Sequence, residues 1–182
     1  MGAATAACGT GVGLEQVLKA RERRAARQAQ ALEQLAKPVV SVTVVMPGPV
    51  KDGALPRGLL AEALVAIDRA VAAKGWPVLS REVFWHETGP EALCVIDVAA
   101  EHLKSEMIEL EDGHPLGRLW DLDVIAPGPR ILTRKGLGFA ARKCLVCERP
   151  AAECGRSRRH PLQQLLETMK AMVKEHDRHT YA

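Results

Sequence analysis

Val39-Val-Ser-Val-Thr-Val-Val45 is the stretch of sequence that constrains the fold most strongly, because it is β-branched at every position except Ser41. Such a run predicts a buried strand. Lys37-Pro38 lies just before it and predicts the end of a helix, since proline disfavours helical geometry in the residue that precedes it. Pro47-Gly-Pro-Val-Lys-Asp-Gly53 follows and predicts a loop.

Outward from this strand, apolar spacing and turn residues predict the other elements. Helices are expected over Val12–Leu35, Pro56–Lys74 and Ala100–Glu111, and from Pro161 onward. Further strands are expected over Val78–His86, Glu91–Val98, Leu119–Ile125 and Ile131–Arg134. This order favours an α+β fold, with flanking helices on a mixed or mostly antiparallel sheet. We expect one domain over residues 1–182, with residues 1–12 flexible and residues 142–160 forming a cysteine-containing loop region.

Composition excludes several classes of protein. With 182 residues, of which 47% are hydrophobic and 26% charged, the chain is neither disordered, collagen-like nor a small disulfide scaffold. It has no apolar run of the roughly 18–20 residues that a membrane helix needs. Aromatic residues make up only 3%, which argues against a base-stacking surface for nucleic acid. The N-terminus lacks a signal-peptide pattern, so we expect a cytoplasmic protein whose cysteines are thiols or metal ligands.

Gly117-Arg-Leu-Trp-Asp-Leu-Asp-Val-Ile125 contains two aspartates at alternate positions of a predicted strand. Alternate side chains of a strand share a face, so Asp121 and Asp123 are expected to converge on a divalent cation such as Mg²⁺. Gly117 is expected to leave room for a phosphate, which Arg118 can bind in bidentate fashion. The alternative is an edge strand that carries two solvated acids.

Cys144, Cys147, Cys154 and His160 have the spacing C-x2-C-x6-C-x5-H. Four such ligands close together can form a structural Zn²⁺ site. The alternative is a set of reduced thiols that pack a short loop against the last helix.

Basic residues concentrate in the first helix and in the loop after the first strand. The first helix carries basic residues on more than one face, namely Arg21, Arg23, Arg24 and Arg27. They form either a solvated surface or a docking site for an anionic ligand or an acidic protein. Lys51 lies in the Gly/Pro-rich loop and is a candidate for phosphate contact.

Taken together, these segments resemble the family of citrate lyase holo-[acyl-carrier-protein] synthases, also called apo-citrate lyase phosphoribosyl-dephospho-CoA transferases. The resemblance extends from about residue 15 to residue 175. It rests on Arg21, Arg24, Arg27-Gln28, Val40-Ser-Val-Thr-Val-Val-Met-Pro-Gly-Pro-Val-Lys-Asp52, Ile108-Glu-Leu-Glu111, His114-Pro-Leu-Gly-Arg-Leu-Trp-Asp-Leu-Asp-Val124, Arg142-Lys-Cys-Leu-Val-Cys-Glu148, Cys154 and His160.

The resemblance implies an enzyme with nucleotidyltransferase-type chemistry and a nucleotidyltransferase-like fold. The donor would be 2'-(5''-triphosphoribosyl)-3'-dephospho-CoA, and the acceptor a serine of the acyl carrier protein subunit of citrate lyase, with pyrophosphate released. On this interpretation Asp121 and Asp123 hold Mg²⁺ and act in catalysis with Arg118. The remaining substrate-binding candidates are Lys51, His114, Arg24 and Arg27.

Two alternatives stay open at the level of sequence. In the first, the acceptor is the carrier subunit of malonate decarboxylase. In the second, the chain is a non-enzymatic adaptor that binds zinc and uses its cysteines and arginines to bind nucleic acid or protein. The adaptor hypothesis leaves the paired aspartates unexplained and predicts strong, salt-dependent binding to nucleic acid. We expect neither a nucleic-acid partner nor a membrane partner.

Overall fold

The computed structural model describes residues 11–180, and its elements follow the predicted order. The helices are α1 (Leu14–Leu35), α2 (Ala54–Ala73), α3 (Ala100–Gly113), α4 (Ala151–Arg156) and α5 (Leu162–Thr180). The strands are β1 (Val39–Val44), β2 (Val78–His86), β3 (Gly89–Ile96), β4 (Trp120–Ala126) and β5 (Arg130–Leu132). The predicted bounds of these elements differ from the observed ones by no more than about two residues. Most of the segment 1–12, expected to be flexible, lies outside the described residues.

Three short segments were not predicted, namely α4 and the 3-10 turns Gly117–Leu119 and Lys135–Leu137. The short helix α4 lies inside the segment 142–160, which we expected to be a loop throughout. Six residues are too few to give a clear 3.6-residue periodicity, so the sequence offered no helical signal there.

The five strands form one open sheet in the order β2-β3-β1-β4-β5, and all four pairings are antiparallel. The expected α+β fold with a mostly antiparallel sheet is therefore confirmed. The β-branched run at β1 lies in the middle of the sheet, where strands are buried most completely. Among the described helices, none combines the length and apolar character needed to cross a membrane.

One face of the sheet carries the main hydrophobic core. Val40, Val42, Leu122 and Val124 project from β1 and β4 into this core, and all four are fully buried. Helices α2, α3 and α5 cover this face, contributing among others Leu60, Ile67, Leu103, Met107 and Met169. Residues that alternate with these project to the opposite face.

The opposite face is only partly covered. Helix α1 packs Ala31 and Leu32 against a small apolar patch formed by Val39, Leu93, Val95 and Ile125. Beyond that patch the same face becomes polar, because the next positions along the strands are Ser41, Thr43, Glu91, Asp121 and Asp123. The fold therefore leaves one end of this face open for binding.

The edge of β4 next to this open end is completed by side chains. Strand β5 pairs only with Val124–Ala126, which leaves the outward backbone groups of Leu122 without a strand partner. The buried carboxylate of Glu111 accepts a 2.8 Å hydrogen bond from the Leu122 N–H, and the buried ammonium of Lys104 donates one of 2.8 Å to its carbonyl. Arg134 forms an ion pair with Glu111 at 2.6 Å. Two side chains of α3 thus take the place of a neighbouring strand.

Replacing Glu111 with alanine should destabilise the protein strongly. The change leaves the Leu122 N–H without a partner and removes the buried ion pair between Glu111 and Arg134, so that Arg134 keeps only Asp112. Breaking a buried ion pair costs about 3 kcal/mol. Glu111→Gln keeps an oxygen that accepts the hydrogen bond from the Leu122 N–H, so it should lower the free energy of unfolding by less. The free energy of unfolding from urea titration measures both, and equal small losses would show that Glu111 does not support the edge.

Candidate functional site

Asp121 and Asp123 share the open face of the sheet, as the alternation predicts. Both residues are exposed, while Trp120, Leu122 and Val124 between and beside them are buried. Asp121 lies opposite Thr43 on β1, and Asp123 lies opposite Ser41. Two carboxylates therefore stand next to each other along one strand with access to solvent, and carboxylate oxygens are ligands that hard divalent cations prefer.

A small cavity of about 200 Å³ adjoins Asp121, between α1, the end of β1 and the β2–β3 hairpin, and Asp123 is not part of its lining. Asp121 and Thr43 contribute to its floor, and Arg21, Arg24 and Lys51 contribute cationic walls. One carboxylate and three cations around a small space suit a phosphate chain together with a metal ion.

Electrostatics follow from this geometry. The protein atoms around its carboxylate raise the pKa of Asp123 by desolvation, and the negative charge of Asp121 raises it further. Burial lowers the pKa of Arg24, while the charges of both aspartates oppose that change. Burial also lowers the pKa of Lys51, and the charge of Arg21 adds to the effect. The carboxylates thus repel each other, and a bound cation would relieve that repulsion.

Helix α1 is fixed above the sheet by a buried carboxylate. Glu91 on β3 has a side chain only 5% exposed, and it forms ion pairs with Arg24 and Arg27. The Arg27 guanidinium also lies 4.0 Å from the centre of the Phe84 ring, and Gln28 donates a 2.9 Å hydrogen bond to the Ser41 hydroxyl. The Arg27 side chain is therefore engaged by Glu91 and Phe84, whereas Arg24 contacts Glu91 and also lines the small cavity.

A second, larger cavity of about 900 Å³ lies where β1 ends and β4 begins. Its wall includes Arg118, from the single 3-10 turn Gly117–Leu119 that precedes β4. The Arg118 guanidinium donates a hydrogen bond to the Lys143 carbonyl, and its buried Nε has no partner among the described residues. The structure thus brings Arg118 to the large cavity and not to the wall of the small one.

Arg142 connects the two cavities. Its guanidinium lies in the wall of the large cavity and donates hydrogen bonds to the carbonyls of Gly117, at 3.1 Å, Arg118, at 3.0 Å, and Trp120. Its Nη1 is 3.7 Å from a carboxylate oxygen of Asp121. Arg142 therefore fixes the start of β4 and compensates part of the charge on Asp121.

Gly117 has a structural explanation that differs from the one expected. A Cβ at this position would lie 2.3 Å from the Leu110 carbonyl oxygen and 2.7 Å from that of Glu111. The close approach that requires glycine is therefore that of the end of α3. Nothing in this contact involves the open face of the sheet.

Three of the predicted catalytic and substrate-binding residues, Asp123, Arg27 and His114, line neither cavity. His114 lies away from the open face of the sheet. Its ring packs against Trp120, with 4.5 Å between ring centres, and lies 5.4 Å from the ring of His176 on α5. Its Nδ1 accepts a 3.1 Å hydrogen bond from the Leu116 N–H. Because Trp120 belongs to the main core, His114 lies on the far side of the sheet from the aspartates.

The cysteine cluster forms as the spacing predicts. One possible ligand atom from each of Cys144, Cys147, Cys154 and His160 lies within 4.8 Å of the others. The sulfurs of Cys147 and Cys154 are 3.6 Å apart, too far for a disulfide bond of about 2.05 Å. The buried Nε2 of His160 has no hydrogen-bond partner among the described residues. Burial opposes ionisation of Cys144, yet the backbone N–H groups of Val146 and Cys147 hold its pKa below the ordinary value.

Glu91 and Arg142 are the important residues that the sequence interpretation missed. Glu91 directly precedes the apolar run Ala92–Ile96. An acid in a buried strand needs a cationic partner, so the basic helix α1 could have been predicted to pack against Glu91. Arg142 follows β4 by 16 residues and lies in an irregular segment, so no spacing rule connects it to Asp121.

Comparison with known proteins gives a consistent result. Residues 12–176 match the family model described as apo-citrate lyase phosphoribosyl-dephospho-CoA transferase. A protein of that name from Citrobacter koseri is 41% identical over 166 residues, which cover 91% of each chain. Proteins of the same name from Shigella boydii and Escherichia coli O157:H7 are 39% identical over the same share of both chains.

The position of His114 predicts a pH dependence of folding. Burial lowers the pKa of His114, and the charge of His176 lowers it further, so the unfolded chain takes up the proton more readily than the folded protein. Stability should therefore be complete above about pH 6.5 and fall as the pH drops below it. Thermal unfolding measured between pH 5 and 8, roughly the range in which histidine titrates, tests this. The loss of stability at low pH should be smaller in His114→Gln than in the unmodified protein. The exposed His102→Gln is the control, and an unchanged profile in H114Q would contradict this account.

Proposed function

The chain belongs to the family of apo-citrate lyase phosphoribosyl-dephospho-CoA transferases, and on that premise we propose that it completes the carrier subunit of citrate lyase. It transfers the phosphoribosyl-dephospho-CoA group from 2'-(5''-triphosphoribosyl)-3'-dephospho-CoA to a serine hydroxyl of the apo acyl carrier protein. Pyrophosphate is released. The proposal includes a cytoplasmic location, nucleotidyltransferase chemistry and a nucleotidyltransferase-like arrangement of the sheet.

The observation that carries the proposal is the pair of exposed carboxylates on β4, of which Asp121 lines a small cationic cavity. The reaction forms a bond between the serine oxygen and the first phosphorus of the triphosphate, and it breaks the bond from that phosphorus to pyrophosphate. The serine proton leaves to a base or to solvent. Such a reaction needs positive charge around the phosphates and a group that holds a cation against them. Asp121, Arg21 and Lys51 supply these around one cavity.

Asp121 and Asp123 are the residues that would hold Mg²⁺. They fit a hard cation because both supply oxygen ligands and both are exposed. A bound Mg²⁺ would neutralise phosphate oxygens and stabilise the departing pyrophosphate. Lys51 and Arg21 bind the outer phosphates, while Arg24 orients them from its ion pair with Glu91.

The other predicted residues have different roles in this proposal. Arg118 contacts the donor from the large cavity, and Arg142 positions Asp121 from the same wall. Arg27 holds α1 to Glu91, and His114 supports the core behind β4. A direct contact of Arg27 or His114 with the donor stays a prediction.

We also propose that Cys144, Cys147, Cys154 and His160 bind a structural Zn²⁺. Two sulfurs each about 2.3 Å from a tetrahedral zinc ion lie roughly 3.8 Å apart, close to the 3.6 Å between Cys147 and Cys154. The buried, unpartnered Nε2 of His160 suits a fourth ligand. Such a site would anchor the segment that carries Arg142 and so support the geometry around Asp121.

Asp121→Asn and Asp123→Asn should each lower the rate of transfer by at least about 100-fold, because each removes a charge that holds the cation against the phosphates. Both residues are exposed, so the variants should fold normally. Mass spectrometry of apo-carrier protein after incubation with donor and Mg²⁺ measures the reaction. Asp177→Asn, an exposed change on α5, is the matched control.

The acceptor is tested in the same assay. The citrate lyase carrier should be modified and the malonate decarboxylase carrier should not. Near-normal modification by both aspartate variants would refute their assignment.

Metal analysis tests the zinc site. The purified protein should contain about one zinc ion per chain, and Cys147→Ser should lose it because a tetrahedral site needs all four ligands. Cys94→Ala is the control, since Cys94 is buried in β3 outside the cluster. Zinc well below one equivalent in the unmodified protein would contradict the proposal.

A further inference from the structure

The donor that the proposed function requires is too large for the cavity beside the aspartates. About 200 Å³ is less than the roughly 300–1,000 Å³ of typical small-molecule sites, so this space accepts phosphates and little else. The rest of the donor is a nucleoside diphosphate that carries a long amide arm. The fold must therefore provide a second space for it, continuous with the first.

The large cavity has the required size and position. Its volume of about 900 Å³ lies within the range of cofactor sites. Met46 lines both cavities, and Arg142 in the wall of the large one is 3.7 Å from Asp121. A molecule in the large cavity thus has one end within reach of the aspartates.

The lining of the large cavity matches the chemistry of that part of the donor. Its charged side chains, Arg118, Lys143 and Arg158 beside Arg142, are all cationic, and no aspartate or glutamate lines it within the described residues. The buried Nε of Arg118 lacks a partner among those residues, so it is an unused donor in this wall. Cationic groups of this kind bind a diphosphate.

Much of the remaining wall is apolar, although Cys144, Cys154 and His160 of the cysteine cluster also line it. Leu145, Leu162 and Leu165 form much of it, and Leu162 is 43% exposed although it starts a helix that packs on the core. An apolar wall beside a cationic one suits a pantetheine arm, which is long, uncharged and carries two methyl groups next to its diphosphate.

We propose, on the basis of the proposed function, that the large cavity binds the dephospho-CoA half of the donor. The diphosphate lies against Arg118, Lys143 and Arg158, and the pantetheine arm lies along Leu145, Leu162 and Leu165. The triphosphate end extends past Met46 into the small cavity.

Calorimetry with dephospho-CoA itself tests the proposal. Arg158→Glu reverses a charge of the wall, and Leu165→Trp fills the apolar part. Each should weaken dephospho-CoA binding by at least about tenfold, the size of one lost charged or apolar contact. Lys170→Glu, an exposed charge reversal on α5 outside the cavity, should bind like the unmodified protein. Circular dichroism and thermal unfolding identify a variant that fails to fold, and Leu145→Trp then replaces Leu165→Trp.

The same variants separate this inference from the proposed function. Binding of inorganic triphosphate with Mg²⁺ should be unchanged in Arg158→Glu, because those phosphates occupy the small cavity. If transfer proceeds while dephospho-CoA binding is insensitive to both cavity variants, the inference is wrong and the function stands. The inference is equally wrong if the variants raise only the KM for the carrier protein. If neither carrier protein is modified but both cavity variants still bind dephospho-CoA more weakly, the inference about the cavity is supported and the proposed function is wrong.

Discussion

The candidate site depends on how the first half of β4 is held at the edge of the sheet. A strand that lacks a neighbour must find other partners for its backbone groups, or leave them unsatisfied in the interior. Here Lys104 and Glu111 reach from α3 to the carbonyl and N–H of Leu122. The residues on either side of Leu122 are Asp121 and Asp123, so this support determines which way the two carboxylates face.

A second set of charges lies on β3, which is on the other side of β1 from β4. Glu91 binds Arg24 and Arg27 and so holds the basic helix α1 over the open end of the sheet. That contact places Arg24 in the wall of the small cavity, together with Arg21, Lys51 and Asp121. The small cavity is cationic because the buried acid of β3 attracts the helix, while the exposed acids of β4 remain available to a metal ion.

Sequence periodicity predicted most of the fold because each main element is long and regular. The β-branched run of β1, the alternation in β4 and the cysteine spacing each depend on local geometry alone. What could not be predicted depends on contacts between distant segments. Arg118 and His114 are separated by only four positions, yet one lines a cavity and the other packs behind Trp120. Arg142 reaches Asp121 from a segment without periodicity, so only the folded chain brings them together.

The central claim is that the two aspartates hold a divalent cation next to phosphate. Electron paramagnetic resonance of Mn²⁺, used in place of Mg²⁺ with pyrophosphate present, tests it without any catalytic turnover. We expect the unmodified protein to bind Mn²⁺ and the double variant Asp121→Asn/Asp123→Asn to lose that binding while remaining folded. Equal Mn²⁺ binding by the two proteins would contradict the account.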